Sequence, residues 1–302
     1  MVEIREAKLE DSVKIAQLYD EVYEGKYPLL EFLEAHSIEK MIADGHIWVL
    51  AVDNNEVIGS AVGIPEKWNN SFEFGRGAIN KNYWDKGVGT EISKSVVKRG
   101  FEQGFDVMWG TPRNIPVYKV VKGLGMVLTG YLPGAHKVDF REMHLLSILL
   151  SEKAKKNRVA PPGNRQNKIY NLPAVKRVIK ELCLENVECE YPDDFVIGPE
   201  SKNMLNAGFD YRPGDNSLII NSIDNPTVLN SGYFEATVPA SNIKAIEFFE
   251  KLNFKICAFL PAWYGTGKRY DCVRMANCFE KQLIADKSVE SIVNQICGEF
   301  GN

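Results

Sequence analysis

Apolar positions along the first half recur with spacings that alternate between helical and strand periods. Over Ala7–Gly25, apolar residues fall at Val13, Ala16, Leu18 or Tyr19, Val22 and Tyr23, which predicts an amphipathic helix. Asp11 and Ser12 supply capping chemistry and Gly25 a stop. Leu29–Ile42 reads as a second helix, ending before Asp44-Gly45. Ile47–Val52 and Val57–Ile64 read as strands, and Asp53-Asn54-Asn55-Glu56 between them is hairpin chemistry. A strand over Ser71–Asn80 precedes an amphipathic helix over Gly87–Gly104, with Ile92, Val96, Val97 and Phe101 on one side. A short strand, Phe105–Thr111, a helix, Pro116–Leu124, and strands Val127–Tyr131 and Lys137–Leu149 complete this half.

The pattern breaks at residues 151–168. A basic run (Lys153, Lys155, Lys156, Arg158, Arg165, Lys168) surrounds Pro161-Pro162-Gly163, which cannot continue a helix or a central strand. This stretch is expected to be a solvated linker between a domain over 1–150 and another over 169–302. The second half predicts a helix over Pro173–Glu185 and strands near Phe195–Gly198, Ser217–Ser222 and Tyr233–Val238. A helix over Ile243–Leu252 and strands Lys255–Leu260 and Asp271–Asn277 follow.

The two halves share one signature. In each, a strand leads to an Asn at a helix entrance (Asn114, Asn242), then to an amphipathic helix and a Leu-Gly or Leu-Asn stop (Leu124-Gly125, Leu252-Asn253). Each position in the second copy stands 128 after its counterpart, which suggests an internal duplication.

Composition narrows the class. The 302 residues carry 36 Lys+Arg against 40 Asp+Glu, a net charge of −4, which argues against a general nucleic-acid binder. No apolar run is long enough to span a bilayer, and the charged start, Met1-Val2-Glu3-Ile4-Arg5-Glu6, has no signal-peptide core. The six cysteines all fall in the second half, scattered as reduced thiols would be in a cytoplasmic protein. Their C-x5-C spacings, Cys183/Cys189 and Cys272/Cys278, are not those of a zinc ribbon, and the four histidines form no metal motif, so no metal is expected.

The segment richest in chemistry is Ile79 to Glu91, in which Trp84-Asp85-Lys86-Gly87-Val88-Gly89 joins a strand to a long helix. Glycines let backbone N–H groups approach a phosphate, and the helix N-terminus adds partial positive charge. The run is neither G-x-G-x-x-G, since residue 92 is Ile, nor a P-loop. With the order of elements around it, this segment resembles the pyrophosphate motif Q/R-x-x-G-x-G/A of the GCN5-related N-acetyltransferase (GNAT) superfamily. Gly87 and Gly89 match, and Trp84 stands where Gln or Arg is usual. The resemblance covers about 1–148 well and 230–278 more weakly, through the second Asn-helix signature.

The resemblance implies an α/β fold with a mixed central sheet and helices on both faces, followed by a degenerate second copy. It implies acetyl-CoA as co-substrate, lying between two splayed parallel strands that end near Asn80 and Thr111. Backbone at Ile79 and Lys81 would meet the pantetheine. Main-chain N–H groups of Lys86, Gly87, Val88, Gly89 and Thr90 would hold the pyrophosphate beside Trp84. Asn114 would contact the cofactor as well as cap its helix. Glu73, six positions before Ile79, matches the register of the family's carboxylate base, with Gly75 and Gly77 expected to share its face and leave room for an acceptor. A backbone N–H near Ala78 or Ile79 would stabilise the oxyanion.

Two departures stand out. The family's acid Tyr is replaced by Val121 in the first copy and Phe249 in the second, leaving Tyr118, one turn earlier, as the substitute. The second half has no glycine-rich phosphate turn and is expected to shape the acceptor pocket, with Trp263-Tyr264 and the Gly265–Gly267 turn either lining it or forming a structural hairpin. The expected activity is transfer of acetyl from acetyl-CoA to a primary amine by direct attack in a ternary complex. The competing readings are a non-catalytic acyl-CoA-binding or scaffolding module, and acylation of a nucleobase or tRNA. The acceptor and the oligomeric state are open.

Overall fold

A computed structural model describes residues 2–137, 140–159, 168–184, 209–212, 217–220, 233–265, 267–278 and 280–302. The chain forms two compact units, one of residues 1–110 and 120–125, the other of 111–119 and 126–302. This grouping places the last two strands of the first half with the second unit.

In the first unit the sheet order is β1 (Glu3–Glu6), β2 (Ile47–Asp53), β3 (Glu56–Glu66), β4 (Ser71–Ile79), β5 (Val107–Gly110). Neighbours are antiparallel except β4 and β5, which are parallel. The continuous apolar run of β2 fits a strand covered on both faces. On one face, α1 (Ser12–Tyr23) and α2 (Ala35–Ala43) pack Ile15, Leu18, Tyr19 and Ile38 against Trp48, Leu50 and Val62. On the other lies α3 (Val88–Glu102), whose buried Ile92 and Val96 approach the glycines of β3.

In the second unit the order is β7 (Arg141–Leu150), β6 (Val127–Lys137), β12 (Lys255–Tyr264), β13 (Arg269–Cys278), β11 (Tyr233–Pro239), β10 (Ser217–Ile220), β9 (Phe209–Arg212). β10 and β11 are parallel, and the other neighbours antiparallel. The helices are α4 (Ile115–Gly123), which straddles the boundary between the units, α5 (Glu152–Asn157), α6 (Pro173–Glu181), α7 (Ile243–Lys251) and α8 (Glu290–Glu299). The last of these was not expected. The strand expected near Phe195–Gly198 lies outside the described residues.

The β6–β7 and β12–β13 hairpins share one register. Val127 pairs with Ile148, Gly130 with Leu146 and Leu132 with His144; 128 positions on, Lys255 pairs with Ala276, Ala258 with Arg274 and Leu260 with Cys272. Irregularities interrupt both ladders at the same places, after Leu128 and Leu132 and after Ile256 and Leu260. The two hairpins meet where Gly130 pairs with Ala258, themselves 128 apart. A Cβ at Gly130 would lie 2.2 Å from the Cys257 carbonyl oxygen, so only glycine permits this approach.

Within the expected linker, residues 151–159 are structured: Lys153 and Lys156 are exposed as expected, but Arg158 is buried. Ser151 caps α5 through the Ala154 N–H, and β8 (Arg158–Val159) pairs in parallel with β13 at Arg269 and Tyr270. Arg158 is buried and holds Asp271 in a bidentate pair (2.8 and 2.6 Å), with the Tyr170 hydroxyl and the Ala262 N–H also donating to that carboxylate. Four donors satisfy a charge that could not otherwise be buried.

Candidate active site

β4 and β5 are paired only at Ser71/Val107, Phe72/Met108 and Glu73/Trp109. From Phe74 onward, β4 continues along β3 without a β5 partner among the described residues, leaving a wedge between two parallel strands. At the far end of β4, Asn80 donates its N–H to Ile58 O on β3. Antiparallel alternation therefore turns the backbone groups of Ile79 away from β3 and toward the wedge. The Ile79 carbonyl accepts a 2.9 Å bond from Trp84 Nε1, so of the contacts expected for this residue only its N–H remains for a ligand. The exposed Trp84 thereby ties the turn to the end of β4, a role the sequence did not indicate.

The turn after Trp84 is built from left-handed residues, Asp85 (φ 59°) and Gly87 (φ 77°), the latter at the helix entrance. The Glu91 N–H closes on Gly87 O, while the N–H groups of Val88, Gly89 and Thr90 precede the first intrahelical bond and point out of the helix end. Val88 is buried and anchors the turn. A Cβ at Gly89 would touch nothing closer than Ile79 Cγ1, at an ordinary 3.8 Å. The protein's own packing therefore does not require glycine at 89. Lys86 extends over the Tyr83 ring, and Lys81 pairs with Glu24 at 2.9 Å, so both cations flank the turn.

Glu73 lies on β4 at the last pair before the strands part. Arg76 grips it bidentately, at 2.9 and 3.3 Å. Arg76 was not expected here. It sits in a bulge between the Ser60/Ala78 and Val62/Gly75 pairs, at φ 53°. Tyr19 and Tyr23, one turn apart on α1, donate their hydroxyls to the carbonyls of Arg76 and Gly77. Tyr27 packs at a tilt against Tyr23 and Tyr19, and burial pushes its hydroxyl pKa up. The bulge corrects one expectation: a Cβ at Gly75 would lie 3.8 Å from Glu73 Oε1, so Gly75 stays beside it, but the simple alternation does not carry through to Gly77. The repeated Tyr spacing at 19, 23 and 27 was the available signal; it reads equally well as a core face.

Asn114 and Tyr118 belong to the second unit. The Asn114 side chain caps α4 by accepting the Val117 N–H at 3.0 Å, as Asn242 caps α7 by accepting that of Ala245. Tyr118 is half-buried and makes no side-chain hydrogen bond among the described residues. On β7, Glu142 accepts from Arg113 (2.9 Å) and meets His144 Nε2 at 2.8 Å. Burial alone would raise the Glu142 pKa, but the His144 hydrogen bond and the Arg113 charge hold it below the usual range. Trp263 is fully buried with Arg274 over its ring, which fits a structural hairpin rather than an acceptor lining. Among the described residues there is no group of three His, Cys, Asp or Glu side chains placed to hold a metal, and no helix long and apolar enough to cross a membrane.

Residues 13–126 match the family model described as the acetyltransferase (GNAT) family. No curated protein matches the chain. Among solved structures it is similar to the ribosomal-protein-S5-alanine acetyltransferase from Vibrio fischeri (18% identity, TM-score 0.43), over 50% of this chain and 93% of that one. A GNAT-family acetyltransferase from Streptococcus pneumoniae is 20% identical with TM-score 0.43, over 50% and 99% of the two chains. The putative acetyltransferase yncA from Salmonella typhimurium, solved with its cofactor acetyl-CoA, is 16% identical with TM-score 0.44, over 50% and 95%.

Proposed function

We propose, from a segment 13–126 that matches the GNAT family model and contains the wedge and the turn, that the protein is an acyl-CoA-dependent N-acyltransferase, moving acetyl from acetyl-CoA to a primary amine. One observation carries this reading: three open N–H groups at the α3 entrance, with a glycine at 89 that the protein's own packing does not demand, stand beside parallel strands that part after three pairs. Such an entrance suits the pyrophosphate of CoA. The wedge gives the pantetheine a strand edge, with the Ile79 N–H as one donor.

In this reading the amine and acetyl-CoA bind together. Only a neutral amine attacks a thioester, so a base must take one proton from the ammonium form. Glu73 supplies it, directly or through a water. Two of its carboxylate acceptor sites are used by Arg76, and an ionised carboxylate has further lone pairs to receive the proton. The amine nitrogen then bonds to the thioester carbon, and a backbone N–H near Ile79 stabilises the oxyanion. Collapse breaks the C–S bond and releases CoA as a thiolate, with Tyr118 as its candidate proton donor. The second half is read as a degenerate copy that binds no second acyl-CoA. Its support is the register shared by the two hairpins and the paired Asn caps. The protein is expected to act in the cytoplasm on a small-molecule or peptide amine.

The decisive experiment is calorimetric titration with acetyl-CoA of the wild type and of Gly89→Glu, which places a carboxylate where the pyrophosphate is held. Micromolar binding lost in the variant supports the site. Absence of binding in the wild type, with longer acyl-CoAs also tried, overturns the reading. Binding without turnover on any amine would favour a non-catalytic acyl-CoA-binding module.

A further inference from the structure

The two hairpins of the second unit exchange strands. β8, which follows β7 in the chain, pairs with β13 at Arg269 and Tyr270. β14 (Gln282–Ile284), which follows β13, pairs with β7 at Arg141, Glu142 and Met143. Arg141 and Arg269, the first residue of each acceptor strand, are themselves 128 apart. Both are fully buried, and both donate to the carbonyl of a left-handed residue in their own hairpin, Gly134 for Arg141 and Ala262 for Arg269. Reciprocal exchange about a seam where equivalent residues meet is the geometry of a two-fold dimer interface, here inside one chain.

The strand that the second copy sends across continues as a strap. Glu280 pairs with Lys137 (2.9 Å) and Arg141 (3.3 Å), and the Ala285 N–H donates to Met143 O. Ser288 Oγ then accepts the Ile115 N–H at 3.2 Å. Ile115 is the first residue of α4, directly after the cap Asn114, and its N–H has no acceptor within its own helix. The partner is therefore supplied from 173 positions away. Between these anchors β14 lies against the stretch of β7 that carries Glu142, the carboxylate bound by Arg113.

We propose that the second half is a tethered partner subunit: it sends its terminal strand into the first copy's hairpin, and the strap 280–289 positions the α4 entrance for acyl transfer. Ser288 and Glu280 are positioning residues, acting through the α4 entrance and not on the reacting atoms themselves. The proposal rests on the acyltransferase reading above, which gives Asn114 at that entrance its role beside the cofactor.

The test uses the full chain, by amide hydrogen exchange and acetyl-CoA calorimetry side by side. Ala285→Pro removes the donor to Met143 O. It is expected to raise exchange about tenfold or more over 141–143 and 115–118 while 269–271 stays protected. Val159→Pro is expected to give the mirror result, exposing 269–271 and sparing 141–143. Ser288→Ala, the mild variant, should speed exchange at 115–118 alone and weaken acetyl-CoA binding or kcat/KM several-fold, with Ser288→Thr restoring both. Unchanged exchange at 141–143 in Ala285→Pro, or at 115–118 in Ser288→Ala, overturns the strap. Faster exchange with wild-type affinity and kcat/KM overturns its positioning role. A wild type that binds no acetyl-CoA removes the acyltransferase reading and the positioning role with it, whereas the exchange pattern by itself still decides whether the strands are swapped.

Discussion

At the scale of single residues, the site turns on two side chains three positions apart. The place of Glu73 on β4 was readable in the sequence, while its role is the proposal above; Arg76, which holds it, was not foreseen. A bulge cannot be inferred from an alternating pattern, because one inserted residue leaves the apolar periodicity on either side intact. General-base catalysis is worth about 10²–10⁴ in rate, so Glu73→Gln should lower kcat by that order at neutral pH. The loss should shrink as pH rises toward the pKa of the amine, where the neutral nucleophile forms without help. A pH–rate profile of unaltered shape in the variant would remove Glu73 from the mechanism. Arg76 stores strain as well as charge, since a side chain at φ 53° is disfavoured by about 1 kcal/mol or more. Arg76→Ala and Arg76→Gly both discard the guanidinium, but only glycine relaxes the backbone. The glycine variant should be the more stable by about 1 kcal/mol in denaturant melts, and both should lose activity. Equal stability would show that the bulge is not strained.

At the scale of elements, most helices and strands were legible because each is amphipathic or continuously apolar with a recognisable stop. The paired Asn signatures were legible too, at one offset. What the sequence concealed was that the same offset extends through two whole hairpins, irregularities included, because Lys255 against Val127 or Arg274 against Leu146 shows no likeness residue by residue. The stretch around Arg158 misled for a different reason. A run of cations has the look of a solvated surface until a distant carboxylate, Asp271, is known to face it. The seam makes the sharpest demand. Gly130→Ala would force a methyl group onto the Cys257 carbonyl, so it should cost about 1–3 kcal/mol of stability, an overpacking penalty on a strand with no room to shift. An unchanged melting temperature would mean that the seam is looser than its geometry states.

For the whole molecule, the question is how many cofactors one chain takes. In the first half, Ile79 and Val107 are joined by a stretch that holds the turn and the 15-residue α3. In the second, Ile220 and Tyr233 are the corresponding ends of a parallel strand pair, and residues 221–232 between them are fewer than α3 alone contains. Saturating calorimetry should therefore return one acetyl-CoA per chain, and Gly89→Glu should abolish it entirely. A stoichiometry of two, or a residual site in the variant, would contradict the degenerate reading of the second half.

The exchanged strand β14 also has a bearing on how the protein is made. Its ladder with β7 joins Arg141–Met143 to Gln282–Ile284, so this stretch of β7 waits for that partner until residue 284 has left the ribosome. During synthesis this stretch lacks its β14 ladder for as long as about 140 further residues take to translate, roughly ten to thirty seconds. Exposed edges of that kind invite pairing with other chains. Products that terminate early, before Gln282, should therefore be captured by chaperones or aggregate. Arrival of Gln282–Ile284, rather than folding of the first half, would be the event that makes the protein safe in the cell. Pulse-labelled nascent chains arrested on either side of residue 284 and probed with protease would register that change as a single step.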